Sequence, residues 1–219
     1  RSRPLACAVV GFLALLHTGW IFDAAGVLGP VGEALTRLCF LATNGVAGQY
    51  VLGAYLEPST FGVLMLAAVA LFARGRAMGA ILAAAAAATI HPTYLLHAVL
   101  FAGGAALSAL IVGRSPRRTA ALLAAGAGAL LPIAAYALAV LRPSEPELAR
   151  AAQTILVEGR IPHHADPGVW FGPGAAAQTA LIACGVAAFW RNRPVFVLLA
   201  CCAGGGLALS LVQAATGHP

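Results

Sequence analysis

Seven apolar runs make up most of this chain, at 4–22, 59–73, 77–90, 93–113, 119–141, 174–190 and 194–214. A helix that crosses a bilayer needs about 20 consecutive apolar residues, and with short connections the chain holds about seven such helices. A soluble domain carries about 25% charged residues. Here the charged fraction is 9% and the hydrophobic fraction 61%, with a mean hydropathy of +0.89. So little charge cannot cover a water-facing surface. The expected fold is all-α: a single polytopic transmembrane helical bundle over 1–219, with outer segments at 23–58 and 142–173.

Polar punctuation sets the connections. Arg74-Gly75-Arg76 reads as a tight turn between antiparallel helices. His91-Pro92 separates 77–90 from 93–113; proline can kink a membrane helix without ending it, but 77–113 is far longer than one span requires. The charges favour two helices independently. With Arg1 and Arg3 in the cytoplasm, seven spans place Arg74, Arg76, Arg114, Arg117, Arg118, Arg191 and Arg193 inside with them, and no acid. Arg37, Arg142, Arg150, Arg160 and all seven acids fall outside. The resulting +9 inside and −3 outside account for the net +6. This is the positive-inside pattern, with the N-terminus cytoplasmic and the C-terminus outside. One span over 77–113 would move Arg114, Arg117 and Arg118 to the outer side.

The pI near 9.6 therefore reflects orientation in a membrane. No basic stripe is interleaved with aromatics, so no nucleic-acid partner is expected. Every basic residue is Arg and alanine is abundant, the usage of a GC-rich bacterial genome, so the expected location is a bacterial inner membrane. With Arg1 at the first position, the chain is expected to be processed or to lack its N-terminus. Run 4–22 is too long and too poorly flanked for a cleaved signal peptide.

Two outer segments are expected to be interfacial helices. Glu33 and Arg37 stand at i,i+4 among Leu35, Leu38, Phe40 and Leu41, a pattern suited to a helix lying at the interface. In 144–159, Ser144 is the expected N-cap and Glu147 the N3 acid of a capping box. Leu148, Ala151, Ala152, Ile155 and Leu156 form one apolar face, and Gly159 is a natural stop. Small residues concentrate at 124–128 and 203–206, where helices can approach closely. Cys7, Cys39, Cys184, Cys201 and Cys202 include no C-x-x-C, and four lie in apolar runs, where cysteine acts as a small hydrophobe.

The residues able to carry chemistry gather on the outer side. His17, His91, His97, His163, His164 and His218 all fall in the outer half. Long outer loops alone would produce some of this clustering. Asp23, directly after the first span, can serve as a general base or hold a metal; it can equally end or cap a helix. Glu57 precedes Pro58 and marks a helix start. His91, in a tight outer connection, can donate to a phosphate or bind a metal, or cap the carbonyls of the preceding helix. Arg160, His163, His164 and Asp166 form the densest polar group, and Arg with His suits a phosphate or another anion. That loop either folds back over an outer cavity or stands solvated. Adjacent histidines on an extended segment point to opposite sides and the helical zinc spacing is missing, so no metal is expected. His17, His91 or His97 could ligate a haem, each being near a span, but a haem between two helices needs histidine pairs at one depth and all three lie near the outer boundary; the cofactor is left open. No P-loop, dinucleotide fingerprint, nucleophile elbow or H-E-x-x-H occurs.

The stretch Leu56-Glu57-Pro58-Ser59-Thr60-Phe61-Gly62-Val63-Leu64, then Leu71-Phe72-Ala73-Arg74-Gly75-Arg76, then an alanine-rich helix ending Thr89-Ile90-His91-Pro92-Thr93-Tyr94, resembles the paired short helices of large bacterial membrane proteins related to the GT-C glycosyltransferases. Ile161-Pro162-His163-His164-Ala165-Asp166-Pro167 looks like a Pro-His-His motif in relatives of that group. The resemblance covers about half the chain. It implies a polyprenyl-phosphate-linked sugar donor, an outer-face active site and a catalytic acid just after the first span, where Asp23 stands. Family members usually show paired acids there and are commonly much longer. This chain is accordingly expected to be a fragment, a reduced relative or a non-catalytic subunit.

Three functions follow as expectations. The first is outer-face sugar transfer, with Asp23 as base and His91, Arg160, His163, His164 and Asp166 lining one cavity. The second is a structural or accessory subunit bound to other membrane subunits. The third is a transporter, which the lack of mid-span charges disfavours. Membrane lipids are partners under all three.

Overall fold

A computed structural model describes residues 62–141, 145–155 and 173–216, together with isolated positions at 11, 29–32 and 34. Run 4–22 apart from Gly11, the Glu33–Arg37 pair, Asp23 and the 160–167 segment lie outside the described residues. Those described are helical, without strand: α1 (Gly62–Ala73), α2 (Ala77–Ile90), a 3-10 turn (Pro92–Tyr94), α3 (Leu95–Ile111), α4 (Pro116–Leu141), α5 (Pro146–Thr154), α6 (Pro173–Ala188) and α7 (Arg193–Thr216).

Three of these segments are long and apolar enough to cross a membrane: Pro92–Ile111, Pro116–Val140 and Arg193–Thr216, of 20, 25 and 24 residues. α1, α2 and Ala175–Ala188 are apolar but shorter. At about 1.5 Å per residue, the 14 residues of α2 reach ~21 Å, short of a hydrocarbon core of about 30 Å.

The breaks have local causes. Arg76 N–H bonds the Leu71 carbonyl at 2.9 Å and Gly75 N–H that of Phe72 at 2.9 Å, with Gly75 at φ +77. This is the Schellman closure of α1, which needs a left-handed residue that glycine supplies without strain. At the other end of α2, His91 is extended, at φ −141 and ψ 118, as the residue before a proline must tend to be. The chain then reverses, so α2 and α3 pack side by side as two helices.

α3 is the hub, packed against α2, α4 and α7. Its contact faces are built from Ala98, Phe101, Ala102, Ala105, Ala106 and Ala109, all buried. Phe101 meets Phe72 of α1 edge to face, with ring centroids 6.3 Å apart. Glycines allow the close approach. A Cβ on Gly104 would lie 3.1 Å from Leu198 Cδ1 and 3.2 Å from the Leu198 carbonyl oxygen; one on Gly126 would lie 3.0 Å from Ala102 Cβ, and one on Gly205 2.8 Å from Leu100 Cδ2. Gly126 and Gly205 belong to the two small-residue clusters. Gly104 does the same from α3 itself. Ser108, 2% exposed, donates its hydroxyl to the Pro194 carbonyl at 3.0 Å and so ties α3 to the first turn of α7.

α5 departs from expectation at its start. Its N-cap is Glu145, without a side-chain cap bond, and Pro146 occupies the first helical turn. Proline is favoured there because its fixed φ suits the helix and its missing N–H would be unpaired anyway. Glu147 thus sits at N2, where it complements the helix dipole, and the Ser144–Glu147 box is not the cap in use. Nine residues cannot span a bilayer. Leu148 and Ile155, on its apolar side, are 61% and 66% exposed.

Candidate functional site at the histidine end of the bundle

The bundle has two chemically different ends. Three turns meet at one of them: a cavity of about 220 Å³ is lined by Ala73 and Gly75 from the α1–α2 turn, Val112 and Gly113 from the α3–α4 turn, and Asn192 and Pro194 from the α6–α7 turn. Arg74, Arg76, Arg114, Arg117, Arg118, Arg191 and Arg193 occupy these turns and the helix starts beside them. Neither 62–141 nor 173–216 contains an Asp or Glu.

The opposite end carries the His91–Pro92–Thr93–Tyr94 turn. A hydrogen bond joins the Tyr94 side chain to the backbone of Gly62, and a Cβ on Gly62 would lie 3.1 Å from the Tyr94 hydroxyl. The start of α1 is thereby held beside the start of α3.

Within the turn, two imidazoles bracket one threonine. His91 Nδ1 lies 2.7 Å from Thr93 Oγ1 and accepts from Thr93 N–H at 3.4 Å. A nitrogen that accepts from a backbone N–H carries no proton, so neutral His91 bears its proton on Nε2. His97 Nδ1 lies 3.2 Å from the Thr93 carbonyl oxygen. A carbonyl only accepts, so His97 donates from Nδ1, and in its neutral form Nε2 holds the lone pair. The turn therefore combines a ring N–H donor with a ring-nitrogen base. The His97 and Tyr94 rings are 5.7 Å apart between centroids. His97 and Thr93 are exposed and His91 is partly so.

His91 thus caps, but not as the sequence suggests: its ring serves the N-terminus of the following 3-10 turn instead of the carbonyls of α2. Sequence reading placed His97 in a span without assigning it to the site. The signal was the Thr93–His97 spacing, since i and i+4 share one face of a helix. Among the described residues no cluster of three metal-ligating side chains forms. Asp23, Arg160, His163, His164 and Asp166 lie outside the described residues, so of the expected constellation only His91 is positioned.

No protein family model, no curated protein and no solved structure matches the chain.

Proposed function

We propose that this is a bacterial inner-membrane protein of about seven spans that transfers a sugar from a polyprenyl-phosphate donor at the face bearing His91, with its N-terminus in the cytoplasm. The observation that carries the reading is the chemical division of the bundle. Seven arginines without an acid in their segments suit a cytoplasmic face, and the donor–base pair of His91 and His97 stands at the other end. The resemblance of the Leu56–Tyr94 and Ile161–Pro167 stretches to GT-C-related proteins supplies the substrate class.

In this reaction Asp23 takes the proton from an acceptor hydroxyl. The acceptor oxygen attacks the anomeric carbon, the bond from that carbon to the phosphate oxygen breaks, and the polyprenyl phosphate leaves with the electron pair. Arg160, His163 and His164 neutralise the departing phosphate through charge-assisted hydrogen bonds. His91 donates from Nε2, and Asp166 lines the substrate cavity with them. Asp23→Asn removes the base with little change of volume. The expected result is loss of turnover of a polyprenyl-phosphate sugar by the purified chain, with its helical circular dichroism unchanged. Full turnover by the variant would end the reading.

A second reading, a non-catalytic subunit of a membrane complex, is favoured by the flank of α4, where Leu131, Tyr136 and Leu138 are 65%, 69% and 74% exposed. It predicts that the chain extracted in mild detergent migrates with stoichiometric partner chains and that Asp23→Asn leaves that assembly unchanged.

A further inference from the structure

At the arginine end, a second cavity of about 600 Å³ opens between the end of α3 and the start of α7, lined by Ile111, Val112, Arg114, Trp190, Arg193, Phe196 and Val197. We propose that this cavity binds the headgroup phosphate of an anionic phospholipid, held by Arg114 and Arg193, with the glycerol and acyl chains lying along the apolar wall of Ile111, Phe196 and Val197.

Three independent observations lead there. The first is unbalanced charge: the segments that build this end contain seven arginines and no acid, so Arg114 and Arg193 present uncompensated positive charge to an anion that reaches the cavity. Guanidinium groups match phosphate oxygens in geometry and charge, and basic pockets between membrane helices accept lipid headgroups. The second is the mixed lining. Two guanidinium side chains, Arg114 and Arg193, share the lining with Trp190 and with the apolar Ile111, Val112, Phe196 and Val197. A free phosphate would have no use for that apolar wall. Trp190 is 61% exposed, and the Arg191 guanidinium lies 5.2 Å from its ring centroid, which adds a cation at the rim.

The third is backbone conformation. Arg114 has φ +46 and is the only non-glycine residue at positive φ among the described residues. An L-residue in that region is disfavoured by about 1–2 kcal/mol, and glycine would adopt it freely. The neighbouring Gly113 cannot be exchanged for a larger residue, because its Cβ would meet the Ala109 carbonyl oxygen at 2.8 Å. The turn therefore has its glycine where space is short and an arginine where the backbone would accept a glycine, so that the guanidinium reaches the cavity.

The reading rests on the membrane character of the helices and not on sugar transfer, and its test involves no turnover. The full chain, delipidated in detergent, is titrated with phosphatidylglycerol, with phosphatidylcholine and with inorganic phosphate, and bound adducts are counted by native mass spectrometry. Phosphatidylglycerol is expected to bind in preference to phosphatidylcholine and to persist in excess inorganic phosphate. Arg114→Gly, which relaxes the backbone, and Arg193→Gln are each expected to weaken it about fivefold, as for one basic residue at an anionic surface. Arg117→Gln, an exposed arginine outside the cavity lining, is expected to leave it unchanged. Equal binding of the two lipids overturns the proposal. So does displacement by inorganic phosphate, which would mark a soluble anion as the occupant. Equal weakening by Arg117→Gln would reduce the site to a diffuse basic surface and overturn it too.

Discussion

The two ends of the bundle solve the same problem, reversing an apolar helix, with different chemistry. At the arginine end the α1–α2 reversal closes on a left-handed glycine and backbone bonds: Gly75 stands at φ +77 and Arg76 N–H returns to Leu71. In that reversal no side chain closes the turn, and the two residues that flank Gly75 are cationic. At the histidine end Pro92 forces the break, and side chains do the closing, with His91 and His97 on either side of Thr93 and Tyr94 on Gly62. The first kind of turn tolerates almost any polar side chain, so sequence is available for orientation. The second ties its polar side chains into fixed tautomers, so the turn itself can do chemistry.

The most decisive way to break this comparison is to ask whether the ends lie on opposite sides of a membrane. In a cysteine-free background, Arg74→Cys, Arg117→Cys and Asn192→Cys are expected to react with an impermeant maleimide only after the cells are opened, and Thr93→Cys before. The effect is all-or-none for each site. Labelling of Arg117→Cys in intact cells would abolish the orientation proposed from the arginines.

Next in size is the seam that holds the two ends in register. At Gly104 the crowding neighbour includes the Leu198 carbonyl oxygen, 3.2 Å from a built Cβ, and backbone cannot rotate away. Gly104→Val is expected to lower stability by about 1–3 kcal/mol, the range for overpacking, read as earlier thermal unfolding in detergent. Gly205 looks tighter, at 2.8 Å, but its neighbour is the tip of Leu100, which can change rotamer. Gly205→Ala also gains about 0.8–1.0 kcal/mol of helix propensity and is expected to be near neutral. If both substitutions cost alike, α3 and α7 do not meet as described.

Smaller again is Ser108→Ala. It deletes the partly buried bond to the Pro194 carbonyl, whose net contribution is about 1 kcal/mol. It acts at the arginine end, so it is expected to shift unfolding without altering any activity assigned to the histidine end.

What was legible in the sequence follows the range of the physics. Gly75 and Pro92 act through their own φ angles and the residue beside them, so both breaks could be placed from the chain alone. The gathering of seven arginines at one end was legible because each flanks an apolar run, and antiparallel neighbours bring alternate connections to the same end. α3 as hub was not legible. A helix surrounded by lipid and other helices is apolar on every side, so no periodic face distinguishes its neighbours. The alanines and glycines of α3 look like those of α2. The start of α5 was misjudged because Ser144 obeys the capping rule and Pro146 obeys another; both could not hold, and proline's covalent constraint prevailed. The site was least legible. Its single-residue chemistry at His91 could be stated, but the tautomers come from hydrogen bonds that only the folded turn defines.

The smallest predicted effect sharpens the comparison most. Thr93→Val keeps the shape and β-branching of Thr93, its backbone N–H to His91 and its carbonyl to His97, and removes only the hydroxyl 2.7 Å from His91 Nδ1. That bond is exposed, so its loss is expected to change stability by no more than about 0.5 kcal/mol. The ring of His91 keeps a single long contact, 3.4 Å from Thr93 N, and becomes free to rotate away from the orientation that presents Nε2–H. If the turn serves only to reverse the chain, Thr93→Val behaves as wild type in every assay. If His91 is held to donate, turnover of the polyprenyl-phosphate sugar falls several-fold while stability stays level, because a misaligned donor loses transition-state binding and not fold. His91→Gln separates the two further: it retains a side-chain N–H donor and is expected to keep more turnover than His91→Ala. Equal activity in those two variants would return His91 to a capping role alone and leave the histidine end chemically no different from the arginine end.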